Sequence, residues 1–364
     1  MLKIATFNLE NLFVRPTAMK MDDNVGKSAI EDHALASTII SKTNYTVGDK
    51  DQLLKLCQKY KWHYSNPPKT SLVQFKKIRG QLFTETKTGG LSITANGRGD
   101  WVGWVELLKE DMSWKSTYKT GRVINEIKPD ILITVEVEDR PTLGKFNQQV
   151  LKSEFNIEYP HFMVIDGNDE RGIDIGVMSM FPIIEIRSHV DDLNPNGEKT
   201  FSRDCAEYDI LLQNNQRIVV IPNHFKSKRN GDNLQSLNRR ILQAQKAHSI
   251  GMTALNRSQF VLIGGDLNDT PQSNPIKEMI KDGFDDVNSH PNYPQDRKGT
   301  YDTGLDNNKI DYLIMSPELR GKLTDTGIER RGSYHPRLWQ SFDTVTKSSE
   351  EASDHHLVWA TFNL

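Results

Sequence analysis

Short apolar runs with the length of β-strands recur along the whole chain. They occupy residues 3–8, 131–136, 162–165, 173–179, 183–189, 208–212, 218–222, 260–264, 310–315 and 356–362. Helical periodicity is clear in residues 120–128, which Pro129 ends, and in residues 234–255. The stretch YDILLQNNQRIVVIP predicts a hairpin turning at QNNQ. Many strands with few helices between them favour an α+β fold with two packed sheets and helices outside, not a regular parallel array.

Composition narrows the class of protein. The chain has 364 residues, a net charge of −2 and a mean hydropathy of −0.59, so it is globular without an overall basic field. Its two cysteines, Cys57 and Cys205, form neither a disulfide framework nor a zinc motif. The N-terminal stretch lacks the long apolar core of a signal peptide, and no run approaches a membrane span. These features predict a cytoplasmic protein with no membrane partner.

One long segment differs from the rest. Residues 15–119 are charged and mixed, and a structureless loop of this length inside a compact domain is unusual. We therefore expect a single domain over residues 1–364 with an insertion at about 15–119 that has local structure of its own.

Polar side chains stand at six expected strand ends. In VLIGGDLNDTP, residues 261–271, Asp266 and Asn268 are two apart, so they point the same way from the end of a buried strand. Alone, this stretch is equally compatible with an Asx turn before Pro271. A calcium loop is excluded because Pro271 and Lys277 occupy the positions that need Gly and Glu. The other ends carry Asn8 and Glu10, Glu136, Asn223 and His224, Asp311, and Asp354 and His355.

In this order the stretches resemble the endonuclease/exonuclease/phosphatase superfamily, which has the deoxyribonuclease I-like fold. The similar stretches are TFNLENL, PDILITVE, RGIDIGVMS, NHFKSK, GGDLND, KIDYLIMS and SDHH. They span the chain except the insertion. The resemblance implies a four-layer α/β/β/α sandwich with the site at one end of the two sheets, and metal-assisted hydrolysis of a phosphate ester. The implied cofactor is Mg²⁺, with Mn²⁺ as the alternative, since hard divalent ions prefer oxygen ligands.

The resemblance also implies roles for individual residues. Glu136 matches the metal-binding glutamate, Asn8 an amide near metal and phosphate, and Glu10 a position where some members have Asp. Asp266 is the expected base or orienter for the attacking water, and Asn268 a donor to a phosphate oxygen.

Further roles concern proton transfer and phosphate contact. His224 matches a catalytic histidine with Asp311 as its expected partner, while His355 acts on a phosphoryl oxygen with Asp354 as a metal or orienting ligand. Asp174 is a candidate to orient His355. Arg203 matches an arginine that meets phosphate in some members, and a surface ion pair with Asp204 is the equal alternative.

The substrate is less constrained, because the superfamily includes nucleases, sphingomyelinases and phosphatases. A basic cluster after His224 favours a nucleic-acid backbone, and a solvated helix face is the alternative. It comprises Lys226, Lys228, Arg229, Arg239, Arg240 and Lys246. We expect a nuclease acting on DNA. The alternatives are a phosphatase or phosphodiesterase for a smaller molecule, and a nucleic-acid-binding protein that has lost catalysis.

The insertion carries cations beside aromatic residues. Lys69, Lys76, Lys77 and Arg79 surround Phe75, a combination that suits a nucleic-acid strand as well as it suits a structural role. Because the insertion follows the first strand, we expect it to begin at the catalytic rim and to limit which substrates enter. The spacing in DWVGWVELL predicts a helix on which Trp101, Trp104, Leu107 and Leu108 pack the insertion onto the sandwich.

Overall fold

The strands and helices lie close to the expected runs. The structure, a computed structural model, describes residues 1–12, 18, 21, 24–64, 68, 70–85, 90–109, 114–228 and 233–364. Its strands are β1 (Leu2–Leu12), β2 (Val73–Gly80), β3 (Phe83–Glu85), β4 (Leu91–Ile93), β5 (Trp101–Leu107), β6 (Ile131–Val137), β7 (His161–Ile165), β8 (Asp174–Ser179), β9 (Ile183–Arg187), β10 (Glu207–Leu211), β11 (Arg217–His224), β12 (Phe260–Asp266), β13 (Asp285–Asp286), β14 (Asp311–Met315), β15 (Leu323–Glu329) and β16 (Leu357–Phe362). Its helices are α1 (Asn24–Ile40), α2 (Val47–Lys59), α3 (Trp114–Ile127), α4 (Arg140–Phe146), α5 (Ser153–Phe155), α6 (Leu234–Ala254), α7 (Asn274–Met279) and α8 (Pro317–Arg320).

The chain divides into two compact units. The first contains Met1–Phe13 and Met112–Leu364, and the second contains Val14–Asp111. The second unit therefore ends before α3, whereas the sequence suggested an insertion as far as residue 119. None of the helices in the described parts of the chain is long and apolar enough to cross a membrane.

Two six-stranded mixed sheets form the first unit. The first sheet has the order β15-β16-β1-β6-β8-β7, and the second has the order β13-β14-β12-β11-β10-β9. Their facing sides form one buried apolar core, in which Ile133 and Val358 from the first sheet share a cluster with Val220 and Leu262 from the second. This is the expected α+β sandwich, and the prediction of fold class is confirmed.

Helices cover the outer faces of the two sheets. The side chain of Asn233 caps α6, accepting from the Ser236 amide at 2.8 Å. Ala244 and Ala247 of α6 pack with Val219 and Ile263 on the outer face of the second sheet. On the first sheet, Leu143 of α4 lies over Gly176 of β8, where a Cβ atom would come within 2.7 Å of the leucine.

The second unit has its own small core. The α2 helix begins with a capping box, in which the Thr46 side chain accepts from the Asp49 amide and the Asp49 carboxylate accepts from the Thr46 amide. Leu53 and Cys57 of α2 pack with Val73 of β2 and Trp101 of β5. The predicted helix at Trp101 is therefore wrong. Residues 101–107 form a strand paired with β2. Trp101 is buried and Trp104 is exposed, because residues three apart in a strand point to opposite faces.

The two glycines of VLIGGD have different structural reasons. At Gly264 a Cβ atom would lie 2.9 Å from Ile133 of the opposite sheet, so glycine permits the sheets to approach. At Gly265 the φ angle is +130°, and a Cβ atom would lie 2.0 Å from the Asn223 carbonyl oxygen of the neighbouring strand. The backbones of Gly265 and Asn223 cannot move apart without breaking the pairing of β12 with β11.

We predict that Gly265→Ala lowers the free energy of unfolding by more than about 1 kcal/mol. Backbone strain alone costs about 1–3 kcal/mol, and the clash with a carbonyl oxygen adds to this cost. Gly321→Ala is the matched control, since Gly321 has φ −64° and its nearest contact would be at 3.5 Å. It should change stability by less than about 0.5 kcal/mol. Urea denaturation of both variants provides the measurement, and equal effects would contradict the assignment.

Candidate active site

The topology of the sheets brings the polar strand ends to one place. β1 and β6 run parallel in the first sheet, and β11 and β12 run parallel in the second, so their carboxyl ends lie at the same edges. β16 is antiparallel to β1, and β14 is antiparallel to β12, so these two strands begin at that edge. Within the second sheet, His224 pairs with Asp266, and Asp266 pairs with Asp311.

Short polar contacts join the two sheets there. The Asn8 Nδ2 atom of the first sheet donates to Asp266 Oδ2 of the second at 3.3 Å and lies 3.4 Å from His355 Nε2. Asn8, Asp266 and His355 are all buried. The six separate motifs of the sequence thus meet in one cluster.

Local backbone strain marks three members of the cluster. Glu10, Glu136 and Asn268 have positive φ angles of 50°, 64° and 51°. The strand register shifts between Asn8 and Leu12, and again between Val135 and Val137. Such irregularities interrupt the alternation of side chains and redirect the acidic groups at the sheet edge.

His355 is held by a carboxylate of the other sheet. Its Nδ1 atom lies 2.9 Å from Asp311 Oδ2, which also accepts from Thr300 Oγ1 at 2.7 Å. Burial opposes protonation, but the neighbouring carboxylate of Asp311, with a further contribution from Asp266, raises the pKa of His355 to about 10. His355 is therefore a cation at neutral pH.

The predicted pairing of Asp311 with His224 is wrong. Asp311 opens a strand of the second sheet and faces His355 across the gap between the sheets, while His224 is two strands away in the same sheet. Asp174 does not orient His355 either. Its Oδ1 atom accepts from the Gly167 amide at 2.9 Å, and burial raises its pKa to about 7.

His224 lies against an arginine and two carboxylates. Its Nε2 atom is 3.3 Å from Arg203 Nη2, 3.6 Å from Asp266 Oδ2 and 4.0 Å from Glu136 Oε1. Burial and then the charge of Arg203 lower the pKa of His224 well below its usual value, so the imidazole is neutral.

Arg203 belongs to this cluster, and the alternative of a surface ion pair with Asp204 is wrong. The side chain is buried and its Nε atom lies 3.4 Å from Asp169 Oδ2. Asp204 is instead buried and accepts from the His189 amide at 2.8 Å.

Asp266 occupies the centre of the cluster. Its Oδ1 atom accepts from the Asn268 amide at 2.9 Å, and its Oδ2 atom faces Asn8, His224 and His355. Burial raises its pKa to about 7 despite the nearby charge of His355. The side chain of Asn268 donates to the Phe225 carbonyl at 3.2 Å, which fixes the turn after β12.

The acidic groups divide into two sets. Ligand atoms of Asp266, Asp311 and His355 lie within 4.8 Å of one another, but the proton on His355 Nδ1 already fills the space between imidazole and Asp311. Glu10, Glu136 and Asp354 form the other set. Burial and then the charges of Asp354 and Glu136 raise the pKa of Glu10, so both carboxylates oppose its ionisation. Oxygen donors with uncompensated negative charge fit a hard divalent cation.

Comparison with known proteins agrees with this geometry. The family model described as "Endonuclease/Exonuclease/phosphatase family" matches residues 113–327, which is more than half of the chain. The chain belongs to this family. Enzymes of the endonuclease/exonuclease/phosphatase family are phosphoester hydrolases that depend on divalent metal ions. No curated protein sequence matches the chain.

The solved structures that are similar to this chain are different kinds of protein. A mannosyl-6-phosphatase from Bacteroides thetaiotaomicron is 12% identical, with a TM-score of 0.53 over 100% of both chains. An endonuclease/exonuclease/phosphatase family protein from Bacteroides thetaiotaomicron is 15% identical, with a TM-score of 0.50 over 68% of this chain and 86% of that one. Truncated TDP2 from Caenorhabditis elegans is 19% identical, with a TM-score of 0.47 over 68% of this chain and 89% of that one. At these identities the likeness to the two Bacteroides proteins shows the fold alone.

Three residues of this family member escaped the sequence analysis. The Thr300 hydroxyl accepts hydrogen bonds from the amides of Ile310 and Asp311 and donates one to the Asp311 carboxylate. Tyr301 has its ring 5.0 Å from that of His355. Neither has a sequence signal, but Ser353 lies in SDH, and its hydroxyl donates to the Asn8 carbonyl at 2.8 Å.

Half of the basic cluster after His224 is paired with acidic side chains. Lys228 and Arg240 both bind Asp269, at 2.6 and 2.8 Å, and Arg240 is completely buried. Lys246 lies 2.9 Å from Asp192, whereas Arg239 donates to the uncharged Lys199 carbonyl. Arg229 lies outside the described residues. Acidic residues distant in sequence thus reduce the free charge of the cluster, and the basic strip stays a prediction.

We predict that Asp311→Asn lowers the free energy of unfolding by about 3–5 kcal/mol at pH 6, because the variant leaves a buried imidazolium without its partner. The pKa of His355 is raised from 6.5 to about 10. The pair therefore stabilises the fold fully below about pH 6.5, and this contribution disappears as the pH rises through about 10.

Urea denaturation across pH 6 to 10 should show the difference between parent and variant shrinking. Asp354→Asn is the control, since Asp354 is 43% exposed and lies 3.9 Å from His355 Nε2. A difference for Asp311→Asn that stays constant over this pH range would contradict the assignment.

Proposed function

We propose that this chain is a Mg²⁺-dependent nuclease that hydrolyses phosphodiester bonds of DNA, with Mn²⁺ as an alternative ion. The observation that carries the proposal is the meeting of Asp266, Asn8, His224 and His355 across two sheets, beside the buried Arg203. A base, an amide, two imidazoles and a guanidinium then surround one spot, which is the set that phosphate ester hydrolysis requires.

Positive charge at the site would bind the anionic phosphate. His355 carries a proton, and Arg203 is a permanent cation that burial leaves poorly solvated. The Nε2 atom of His355 is available to donate to a phosphoryl oxygen, because Nδ1 is held by Asp311. Electrostatic stabilisation of this kind acts strongly where water is excluded.

Asp266 is the proposed base for the attacking water. Its raised pKa of about 7 makes the carboxylate a stronger base than an exposed aspartate, and the Asn268 amide fixes its orientation. Asn268 remains a proposed phosphate contact through its side chain after a rotation away from the Phe225 carbonyl.

The residues Glu136, Glu10, Asn8 and Asp354 would hold the divalent ion. When bound, the ion supplies charge neutralisation at the phosphate and lowers the pKa of a bound water. A cation would relieve the opposition of Asp354 and Glu136 to the ionisation of Glu10.

The choice of DNA rests on the similarity of the motifs to bacterial nuclease-type members and on the cations of the basic cluster that have no acidic partner among the described residues. Lys226 is a proposed phosphate contact, because it follows His224 by two residues. Lys228 would reach a phosphate only by leaving Asp269. Two buried cysteines without a disulfide agree with the further proposal of a cytoplasmic location.

A smaller phosphorylated molecule is the second candidate substrate. The pairing of Lys228, Arg240 and Lys246 with acidic side chains leaves less free positive charge beside the site than a long nucleic acid would use. An inactive binding protein is disfavoured, because each expected catalytic position is filled and in contact with another.

We predict that Glu136→Gln reduces turnover by at least about 100-fold, because it removes an anionic oxygen ligand while keeping the shape of the side chain. Folding should be unchanged, since Glu136 is only partly buried. Hydrolysis of plasmid, linear duplex, single-stranded DNA, RNA and a small phosphodiester should be measured with Mg²⁺ and again with EDTA.

Loss of all activity with EDTA supports the metal. Undiminished activity in EDTA would exclude it. Preference for the small phosphodiester over every nucleic acid would favour the second candidate substrate.

We predict that Asp266→Asn reduces turnover by about 10²–10⁴-fold but leaves substrate binding equal or tighter, because a negative charge beside the phosphate is removed. In the parent, kcat/KM should rise with pH as Asp266 loses its proton near pH 7, and fall as His355 loses its proton near pH 10. Asn268→Ala is the milder control. Turnover of Asp266→Asn close to that of the parent at saturating Mg²⁺ would reduce Asp266 to a turn residue.

A further inference from the structure

The second unit contains a cavity lined with aromatic side chains. Its volume is about 530 Å³, within the range of sites that hold small molecules. Trp62, Tyr64, Phe75 and Phe83 contribute rings to its wall, and Lys77 contributes a cation. None of the residues that line this cavity belongs to the candidate active site, and core packing does not require a cavity of this size.

The aromatic lining of the cavity has a buried part and an exposed part. Trp62 is buried, donates through Nε1 to the Val73 carbonyl at 2.9 Å and stacks on Phe75, with centroids 5.7 Å apart and planes at 24°. Phe75 also lies 5.3 Å from Phe83. Tyr64, in contrast, is 50% exposed. Core packing explains the buried rings, but it does not explain a large aromatic side chain at the mouth.

Two neighbouring lysines of β2 differ in their surroundings. Lys76 lies 3.2 Å from Glu106 and donates to Gln74 at 3.0 Å. For Lys77 and Arg79 the described residues offer no ion-pair or hydrogen-bond partner. Lys77 lines the aromatic cavity. An unpartnered cation at the edge of a ring-lined cavity suits a ligand that is both flat and anionic.

Polar groups complete the lining. Gln81, Thr84 and Glu85 follow the aromatic wall along β3 and the turn before it. An amide, a hydroxyl and a carboxylate together offer both donors and acceptors. Groups of this kind hydrogen-bond to the edge of a nucleobase in a single strand.

We propose that this cavity holds one nucleotide of a single-stranded nucleic acid, with the base against the aromatic wall and a phosphate at Lys77. Tyr64 would cover the base at the mouth of the cavity. Stacking tolerates any base because every base has a π face, so the site would recognise unpaired nucleotides and not a sequence. The inference deepens the proposed nuclease function and rests on it for the choice of a nucleic acid over other flat anions.

The experiment measures binding separately from catalysis. Full-length protein carrying Glu136→Gln is titrated into fluorescein-labelled oligothymidylate of twelve residues, and anisotropy gives Kd over a series of salt concentrations. Tyr64→Leu keeps an apolar side chain without a ring and should weaken binding at least about fivefold, since one stacked base contributes ~1–3 kcal/mol. Lys77→Gln should reduce the slope of log K against log salt by about 0.7.

Matched variants control for loss of aromatic surface and of charge. Trp104→Leu removes a ring that is 44% exposed outside the cavity, and Lys76→Gln removes the neighbouring lysine that Glu106 already neutralises. Both should bind the oligonucleotide within about twofold of the parent. Circular dichroism and thermal unfolding verify that each variant is folded.

A second probe tests stacking directly. An oligonucleotide of the same length with abasic sites should bind more weakly to the parent, and Tyr64→Leu should have no further effect on it. Thymidine monophosphate should compete weakly if the site also accepts a free nucleotide.

The outcomes separate the two proposals. Binding that depends on Tyr64 and Lys77 without hydrolysis of any nucleic acid would support the cavity and overturn the nuclease function. Hydrolysis of DNA with Tyr64→Leu and Lys77→Gln binding like their controls would overturn the cavity and leave the nuclease. Absence of oligonucleotide binding by the parent chain would also overturn the cavity proposal.

Discussion

The hydrogen bond between His355 and Asp311 joins the two sheets at the end where the chemistry is proposed. His355 lies two residues before a strand of the first sheet, and Asp311 begins a strand of the second. A buried imidazolium requires a carboxylate, so the charge of one sheet fixes the position of the other. Asn8 and Asp266 make a second bond across the same gap. The elements elsewhere in the first unit place these four side chains.

The sequence predicted the strands of this unit well because buried strands leave a direct signal. Residues 131–136 and 260–264 fall inside β6 and β12, and residues 208–212 and 234–255 match β10 and α6 to within a residue. The short β13 and the strand β15 carry no such pattern. The helix expected at Trp101 is wrong, because the six apolar residues of DWVGWVELL fit either period and only the pairing with β2 decides. Fold class followed from the order of motifs, not from any one of them.

The candidate site was predictable as a set of residues but not as a set of bonds. Asp266, His224 and His355 stand at strand ends that sequence alone identifies, whereas the partner of each depends on which sheet the strand joins. The sequence analysis therefore assigned Asp311 to His224, whereas its partner is His355. The pairing of Asp269 was equally hidden from the sequence. It neutralises Lys228 and Arg240, which sequence alone leaves unpaired. Sequence distance hides such neutralisation, because the acid and the bases lie in different segments.

The left-handed backbone at Glu10, Glu136 and Asn268 has a consequence for how this chain tolerates change. Asparagine and glycine adopt this conformation with less strain than glutamate, so the cost falls on Glu10 and Glu136 and hardly on Asn268. The only evident use of the two glutamates is at the site. Replacing either by glycine or asparagine would therefore stabilise the fold while it removed a carboxylate from the site. At these two positions function and stability oppose each other.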